Sequence, residues 1–227
     1  MTYVLHYAPD NASLIVRLAL SDPRVDFETR LVDRSTNAQS DPDYLAINPN
    51  GLIPTLETPD GPIFETTAIL LYLSERHGGL LPDAGAARAS ALKWLVWLGN
   101  SLHPSQRMLF YPHLYTNGDI EELRVPTRAR ITRLLTLLAD APDTDWLEAG
   151  TDSTASAMAC YLGPLLRWCA LYGGPRWFSL AHHPRLLAFA TRFEQSQTVQ
   201  SAIIAEGLGD TPFSAPRPPN PPEGSAL

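Results

Sequence analysis

Residues 48–69, NPNGLIPTLETPDGPIFETTAI, contain the pattern that decides the fold. Within this stretch, the two β-prone runs 55–58 and 63–64 flank the sequence Pro-Asp-Gly-Pro at 59–62. The Asp-Gly pair suits a tight turn, and such a turn joins neighbouring antiparallel strands. The stretch therefore predicts a β-hairpin at the centre of the N-terminal half.

Strand and helix patterns alternate on both sides of this hairpin. Upstream, the runs Tyr3–Tyr7 and Phe27–Val32 favour strands, and each is followed by a segment with helical apolar spacing. Downstream, the threonine pair at 66–67 can cap a helix that ends at a Gly-Gly pair. We therefore predict an α+β domain with the element order βαβαββα over residues 1–79.

The remainder of the chain has a purely helical hydrophobic period. It follows a linker at 80–85 that contains proline and glycine, which is where a domain boundary is expected. Apolar stripes at helical spacing occur within 91–102, 131–138 and 157–168. We predict an all-α helical bundle over residues 86–211. Residues 212–227 contain six prolines, and we predict a disordered or surface-lying tail outside the fold.

Composition excludes several classes of function. The net charge of -7 and the pI near 5.3 give no field that would favour a nucleic acid. The sequence has no long apolar run, so we expect neither a secretory signal nor a membrane span, and a cytoplasmic protein. Its two cysteines, Cys160 and Cys169, have no metal-binding spacing, so no metal is expected. The helix predicted there would place them on opposite faces, which excludes a disulfide between them.

The element order, together with residues 48–56 and 64–69, resembles the cytosolic glutathione transferases, and the resemblance spans nearly the whole chain. These proteins have an N-terminal thioredoxin-like domain that holds glutathione and a helical C-terminal domain that covers the second substrate. The resemblance implies that the chain is an enzyme of this family. It implies glutathione as the co-substrate and no metal.

By the same resemblance, two short segments bind glutathione. In the family, the proline that matches Pro54 is cis, so the backbone of the residue before it, here Ile53, can pair with the cysteinyl part of glutathione like an added strand. Thr66 matches the residue that binds the γ-glutamyl carboxylate at a helix N-terminus, where free N–H groups attract anions. Glu65 is the acid beside it, which can take the ammonium group.

The residue that activates the glutathione thiol is expected near the end of the first strand. A hydrogen-bond donor must face the sulfur there, so that a thiolate forms near neutral pH. The beta-class pattern, roughly Tyr-Tyr-x-Pro-x-x-Cys-Ser-Leu, overlays residues 6–14 and places Ala12 where that class has its cysteine. The remaining side-chain donors are Tyr7, Asn11 and Ser13. We rank Tyr7 first because it also matches the tyrosine of other classes, with Asn11 and Ser13 close behind.

The helical domain supplies the other candidate residues. His103 matches the histidine of a Leu-His-Lys sequence in the fourth helix of the beta class, near the active site, and Pro104 replaces the lysine. The resemblance therefore implies that His103 also binds glutathione. Met108 and Tyr111 follow five and eight residues later, and we expect them to line the pocket for the electrophile.

These features favour conjugation of glutathione to a small hydrophobic electrophile, a detoxification reaction, as the function. The missing cysteine leaves open a glutathione-binding or interaction protein without catalysis. Glutathione-dependent peroxidase or reductase activity on the same fold is a third reading. The resemblance also implies a homodimer, with the fourth helix and the end of the N-terminal domain at the interface.

Overall fold

A four-stranded mixed sheet forms the centre of the N-terminal half. The structure, a computed structural model, describes residues 2–21, 24–148 and 155–226. The strands are β1 (Tyr3–Tyr7), β2 (Phe27–Leu31), β3 (Thr55–Thr58) and β4 (Gly61–Phe64), in the spatial order β2-β1-β3-β4. Strand β1 runs parallel to β2 and antiparallel to β3. Strands β3 and β4 form the hairpin that the Asp-Gly pair predicts.

Three helices accompany this sheet, namely α1 (Ser13–Leu20), α2 (Pro42–Ile47) and α3 (Thr66–His77). Every residue of α1 is buried, because the helix packs against α3 and against helices of the C-terminal half. Helix α3 ends at His77 and is capped by Gly78, whose φ of 71° favours glycine. The predicted order βαβαββα and the thioredoxin-like character of this half are confirmed.

The C-terminal half is helical, as predicted. Its helices are α4 (Gly85–Trp97), α5 (His103–Phe110), α6 (Ile120–Asp140), α7 (Ala157–Leu171), α8 (Pro184–Phe193) and α9 (Gln197–Glu206). A π-helical turn, Leu98–Leu102, joins α4 to α5 in one continuous rod. Helix α7 is the central one, with almost all of its residues buried, including the charged Arg167.

The chain after α9 contributes to the core. The ring of Phe213 is fully buried and stacks on Phe193 at a centroid distance of 5.4 Å. The prediction of a tail outside the fold from residue 212 therefore needs one correction, because an aromatic ring in the proline-rich sequence finds an apolar partner on α8. The residues beyond it run back towards the N-terminal half, where Glu223 accepts a hydrogen bond from the Tyr7 hydroxyl.

Both cysteines are buried as free thiols. Burial raises the pKa of Cys160 and of Cys169 to about 12, so both are neutral at physiological pH. Among the described residues, no group of three or more His, Cys, Asp or Glu side chains could hold a metal ion. A search of the same residues finds no helix with the length and hydropathy needed to cross a membrane.

Candidate active site

A cleft of about 850 Å³ lies between the two halves of the molecule. From the N-terminal half it is lined by the loop after β1, the loop before β3 and the first residues of α3. The opposite wall comes from the α4–α5 rod and from α7. A cleft of this size can enclose a small-molecule ligand.

The loop before β3 presents unpaired backbone groups to this cleft. The Ile53–Pro54 peptide bond is cis, and both residues line the cleft. The carbonyl of Leu52 is held from the other side, by the Tyr44 hydroxyl at 2.6 Å and by Asn48 Nδ2 at 2.7 Å. The N–H and C=O of Ile53 bond to no described residue. An extended peptide could therefore pair with Ile53 as an additional strand would.

The N-terminus of α3 lies beside this backbone segment. Glu65 occupies the N-cap position with a φ of 71°, and Thr66 begins the helix. A positive φ is rare for a residue other than glycine, and such conformations concentrate at functional sites. The Glu65 carboxylate is exposed and has no ion-pair partner among the described residues. The pair thus offers helix N–H groups for a carboxylate and a free carboxylate for an ammonium group.

The Asn11 amide also lines the cleft, with its orientation fixed. Its Oδ1 accepts a hydrogen bond from the backbone N–H of Ala12 at 3.0 Å. Because that N–H needs an acceptor, the nitrogen Nδ2 is the end of the amide that remains for a ligand. No described residue accepts a hydrogen bond from Nδ2, so Asn11 supplies a free donor at the end of β1.

Tyr7 and Ser13 lie away from the cleft. The Tyr7 hydroxyl donates to Glu223, and Arg17 covers the ring, with its Cζ 4.5 Å from the ring centroid. Burial, and then the hydrogen bond to Glu223, raise the pKa of Tyr7. The Ser13 hydroxyl donates to the Ala8 carbonyl at 3.0 Å. Each hydroxyl is thus bonded to a partner within the protein, and of the three predicted thiol donors only Asn11 lines the cleft.

His103 lines the cleft from α5 as a neutral side chain. Its Nδ1 lies 3.0 Å from the Tyr161 hydroxyl, and its ring packs 5.7 Å from that of Trp168. Burial, and then the nearby Arg107, lower the pKa of His103 to about 4. The imidazole can therefore offer a hydrogen bond to a ligand at pH 7, but it brings no positive charge.

This histidine should make stability depend on pH in a defined window. An unfolded chain takes up the proton near pH 6.5, whereas folded His103 does not until about pH 4. Between these values the unfolded state binds more protons, so stability rises with pH and is lost as the pH falls. The edge of the His103 ring borders the open cleft, where water screens its charge. We therefore expect the free energy of unfolding to fall by about 2 kcal/mol through this pH range, which is less than the full pKa shift would give.

Urea unfolding between pH 4 and pH 7 tests this expectation in the wild type and in His103→Gln. The difference in unfolding free energy between the two proteins should shrink as the pH falls, because other titrating groups are common to both. Parallel curves would contradict the assignment of a depressed histidine pKa.

Of the two predicted electrophile contacts, only Tyr111 lines the cleft. Arg34 lies over its ring, with Cζ 5.6 Å from the centroid. Met108 instead faces α6, where its sulfur accepts a hydrogen bond from Thr127 at 3.7 Å. The prediction for Met108 is therefore corrected, because α5 turns this residue towards its neighbouring helix. The apolar part of the wall includes Val96, Phe110 and Leu114.

The π-helical turn brings the rod close to α3. A Cβ on Gly99 would clash with Thr67 Oγ1 and would lie 3.3 Å from the Tyr161 hydroxyl. An added methyl group would therefore fit here only if the Thr67 hydroxyl moved away. Such π-bulges occur often at functional sites.

Glutathione, the ligand that the sequence resemblance implies, is the probe for this contact. Gly99→Ala should weaken its binding, since the threonine hydroxyl must rotate away beside the first turn of α3. We expect a rise in its Kd of about fivefold, equivalent to about 1 kcal/mol. Gly118→Ala is the matched control, because its nearest atom, Thr116 Oγ1, would lie at 3.4 Å in an exposed loop. An equal Kd for the two variants would show that the close approach is unimportant for binding.

The sequence did not predict the residues that join the two halves at the wall of the cleft. Asp10 is buried and forms an ion pair with Arg167, with Nε 2.8 Å from Oδ1. Trp168 and Tyr172, which line the cleft, also donate hydrogen bonds to Asp10. A charged residue within the apolar pattern of α7 was the one available signal, because arginine is rarely buried without a partner.

Comparison with known proteins agrees with this geometry. Residues 1–75 match the family model of the glutathione S-transferase N-terminal domain. The chain is 31% identical over 210 residues to Glutathione S-transferase GST-4.5 of Xanthomonas campestris, a match that covers 90% of this chain and 98% of that protein. It is 28% identical over 220 residues to Disulfide-bond oxidoreductase YfcG of Escherichia coli, covering 91% of this chain and 96% of that protein.

A solved structure shows the same fold. A sphingomonad glutathione S-transferase complexed with glutathione matches with a TM-score of 0.72 and 27% identity, over 91% of this chain and 100% of that one. Sequence, fold and the arrangement of the cleft thus agree. The chain belongs to the glutathione S-transferase family.

Proposed function

We propose that this protein conjugates the thiolate of glutathione to a small hydrophobic electrophile. The observation that carries the proposal is that one cleft is lined by three complementary groups. These are the unpaired backbone of Ile53, the helix start at Glu65 and Thr66, and the free Nδ2 donor of Asn11. They correspond to the cysteinyl backbone, the γ-glutamyl end and the sulfur of glutathione.

In this proposal the protein acts mainly on the thiol. The Asn11 amide donates a hydrogen bond to the sulfur, which favours the thiolate, and the proton leaves to solvent. The thiolate then attacks an electrophilic carbon of the acceptor. A carbon–sulfur bond forms, and the leaving group departs with its bonding electron pair. His103 contributes a neutral hydrogen-bonding group at the opposite wall.

The acceptor would rest against the apolar wall of the cleft. Phe110 and Tyr111 line this wall, and Tyr172 packs edge-on to Phe110 at a centroid distance of 5.6 Å. These side chains suit a flat, apolar acceptor. We further propose a homodimer located in the cytoplasm; sedimentation of the protein as a monomer at micromolar concentration would contradict the dimer.

Three measurements test the proposal. Calorimetry with glutathione and with S-methylglutathione should detect binding of both, and the ultraviolet absorbance of the bound thiol should show thiolate at neutral pH. A panel that includes a chlorodinitrobenzene-type substrate should then give conjugate by mass spectrometry. Tight binding of glutathione without turnover of any acceptor would favour a non-catalytic binding protein, and absence of binding would refute both readings.

Glutathione-dependent reduction is the second candidate, favoured by the similarity to the Escherichia coli disulfide-bond oxidoreductase. Both cysteines of this chain are buried as neutral thiols, so the electrons would have to come from glutathione alone. Two glutathione molecules would be oxidised to their disulfide while a substrate disulfide becomes two thiols, or a hydroperoxide becomes an alcohol and water. Formation of oxidised glutathione without a conjugate would select this reaction.

A further inference from the structure

Asp10 lies directly before Asn11, in the loop that connects β1 to α1. Its φ of 50° is a left-handed conformation, which aspartate tolerates better than most residues other than glycine. The conformation turns the chain between the strand and the helix, at the position where the Asn11 side chain enters the cleft. Contacts from outside the loop must stabilise this conformation, because the backbone of a non-glycine residue seldom adopts it by itself.

The Asp10 carboxylate is held by three donors from one helix. Arg167 Nε and Trp168 Nε1 each lie 2.8 Å from Oδ1, and the Tyr172 hydroxyl lies 3.1 Å from Oδ2. All three belong to α7 or to the residue that follows it. The side chains of Asp10 and Arg167 are both fully buried, so water does not compete for these bonds.

Further hydrogen bonds restrict the positions of the Asp10 loop and of Arg167. The backbone N–H of Asp10 donates to Glu206 Oε2 at 2.8 Å, which ties the main chain of the loop to α9. The Arg167 guanidinium also donates to the carbonyls of Leu208, Pro212 and Arg217, so its position is fixed by the chain after α9. Helical elements far along the sequence therefore determine where the loop lies.

The side chain of the neighbouring Asn11 has no such distant anchor, although its backbone carbonyl accepts a hydrogen bond from the Leu14 N–H at 2.8 Å. Its Oδ1 bonds only to the adjacent Ala12 N–H, and its position relative to the cleft follows from that of the loop. A hydrogen bond to a ligand weakens steeply when distance or angle departs from ideal values. A displacement of the reacting groups by about 1 Å can lower a rate by two orders of magnitude.

We propose that Asp10 is the positioning residue that holds the Asn11 amide against the glutathione sulfur, with its carboxylate anchored on Arg167, Trp168 and Tyr172. This inference rests on the proposed function, because it assigns to Asp10 a role in thiol activation and none in binding the tripeptide. Trp168 and Tyr172 also line the cleft. The Asp10 carboxylate thus contacts both the wall proposed for the acceptor and the loop that carries the Asn11 donor.

The test compares thiol ionisation with glutathione binding in Asp10→Asn. The apparent pKa of the bound thiol, followed by its ultraviolet absorbance across a pH titration, should rise by about one pH unit, with kcat falling about tenfold at a pH below that value. The Kd for glutathione should change less than twofold. Tyr172→Phe removes one donor and keeps the ring, so it should shift the thiol titration in the same direction by a smaller amount.

Tyr3→Phe is the matched control, since its hydroxyl bonds to His77 Nε2 at 2.8 Å, outside this network, and its thiol titration should equal that of the wild type. In the Asn11→Ala background, Asp10→Asn should lower kcat less than twofold further, because residues that act through one another are not additive. If Asp10→Asn does not fold, the titration of the bound thiol is measured in Tyr172→Phe and Trp168→Phe instead.

The inference is overturned if the folded variants keep the wild-type thiol titration. It is also overturned if the Kd for glutathione and the pKa of the bound thiol both rise in proportion to the stability that each variant loses. The same holds if the losses of kcat in Asp10→Asn and Asn11→Ala are additive in the double variant. Absence of thiolate in the wild-type complex would instead refute the proposed function, so the two failures are distinguishable.

Discussion

Asn11→Ala is expected to lower kcat by about 100-fold, the loss found when one preorganised donor to a developing anion is removed. The variant deletes the Nδ2 donor and leaves the backbone of Ile53 and the start of α3 unchanged. Affinity for glutathione should therefore stay within about threefold of the wild type, because a single neutral hydrogen bond contributes about 1 kcal/mol or less to binding. Steady-state kinetics and calorimetry measure the two effects separately.

Two further variants sharpen this prediction. Asn11→Asp keeps the acceptor for the Ala12 N–H but places a negative charge beside the sulfur, so its kcat should be no higher than that of Asn11→Ala. Tyr7→Phe should retain kcat within about twofold, because its hydroxyl donates to Glu223 and not into the cleft. A large loss in Tyr7→Phe together with an active Asn11→Ala would reverse the assignment of the donor.

Arg167→Met should lower the free energy of unfolding by about 3 to 5 kcal/mol, the cost of leaving one member of a buried ion pair without its partner. The variant keeps most of the side-chain volume but leaves the Asp10 carboxylate without a counter-charge. It also removes the donor for the carbonyls of Leu208, Pro212 and Arg217. Urea denaturation followed by tryptophan fluorescence measures the loss.

Arg30→Met is the control for this experiment. Arg30 pairs with Glu57 at 3.1 Å, but both side chains are exposed, by 63% and 38%. Exposed pairs contribute about 1 kcal/mol or less, so this variant should be close to the wild type. Similar losses in both variants would indicate that burial of the Asp10–Arg167 pair has no special importance.

The elements of the N-terminal half were predictable because their signals are local. A turn sequence, a run of β-prone residues and a helical period are each encoded within about ten residues. The segments assigned to glutathione are local in the same sense, since Ile53 and Pro54 adjoin each other and so do Glu65 and Thr66. The structure brings both pairs to one cleft because the β3–β4 hairpin lies between them.

The residues that decide which thiol donor faces the cleft are distant in the sequence, so the sequence alone left Tyr7, Asn11 and Ser13 as alternatives. Tyr7 turns to the side occupied by Arg17 and by Glu223, and Glu223 lies 216 positions away. The partners of Asp10 on α7 are 157 to 162 positions away. Hydrophobic periodicity can indicate which face of a helix is buried, but not which distant residue will meet it. Met108 illustrates the same limit, because the neighbouring helix α6 decides which face of α5 remains open.

The two buried ion pairs that join the N-terminal half to the helices also bear on how a ligand enters the cleft. Asp10 binds Arg167 on α7, and Arg17 on α1 binds Glu206 on α9 at 2.6 Å. Hinge-like separation of the sheet from the helices would have to part opposite charges inside an apolar interior. Such opening is costly. We therefore expect ligands to exchange through the solvent-facing rim of the cleft, where Leu52, Val96 and Leu114 are exposed.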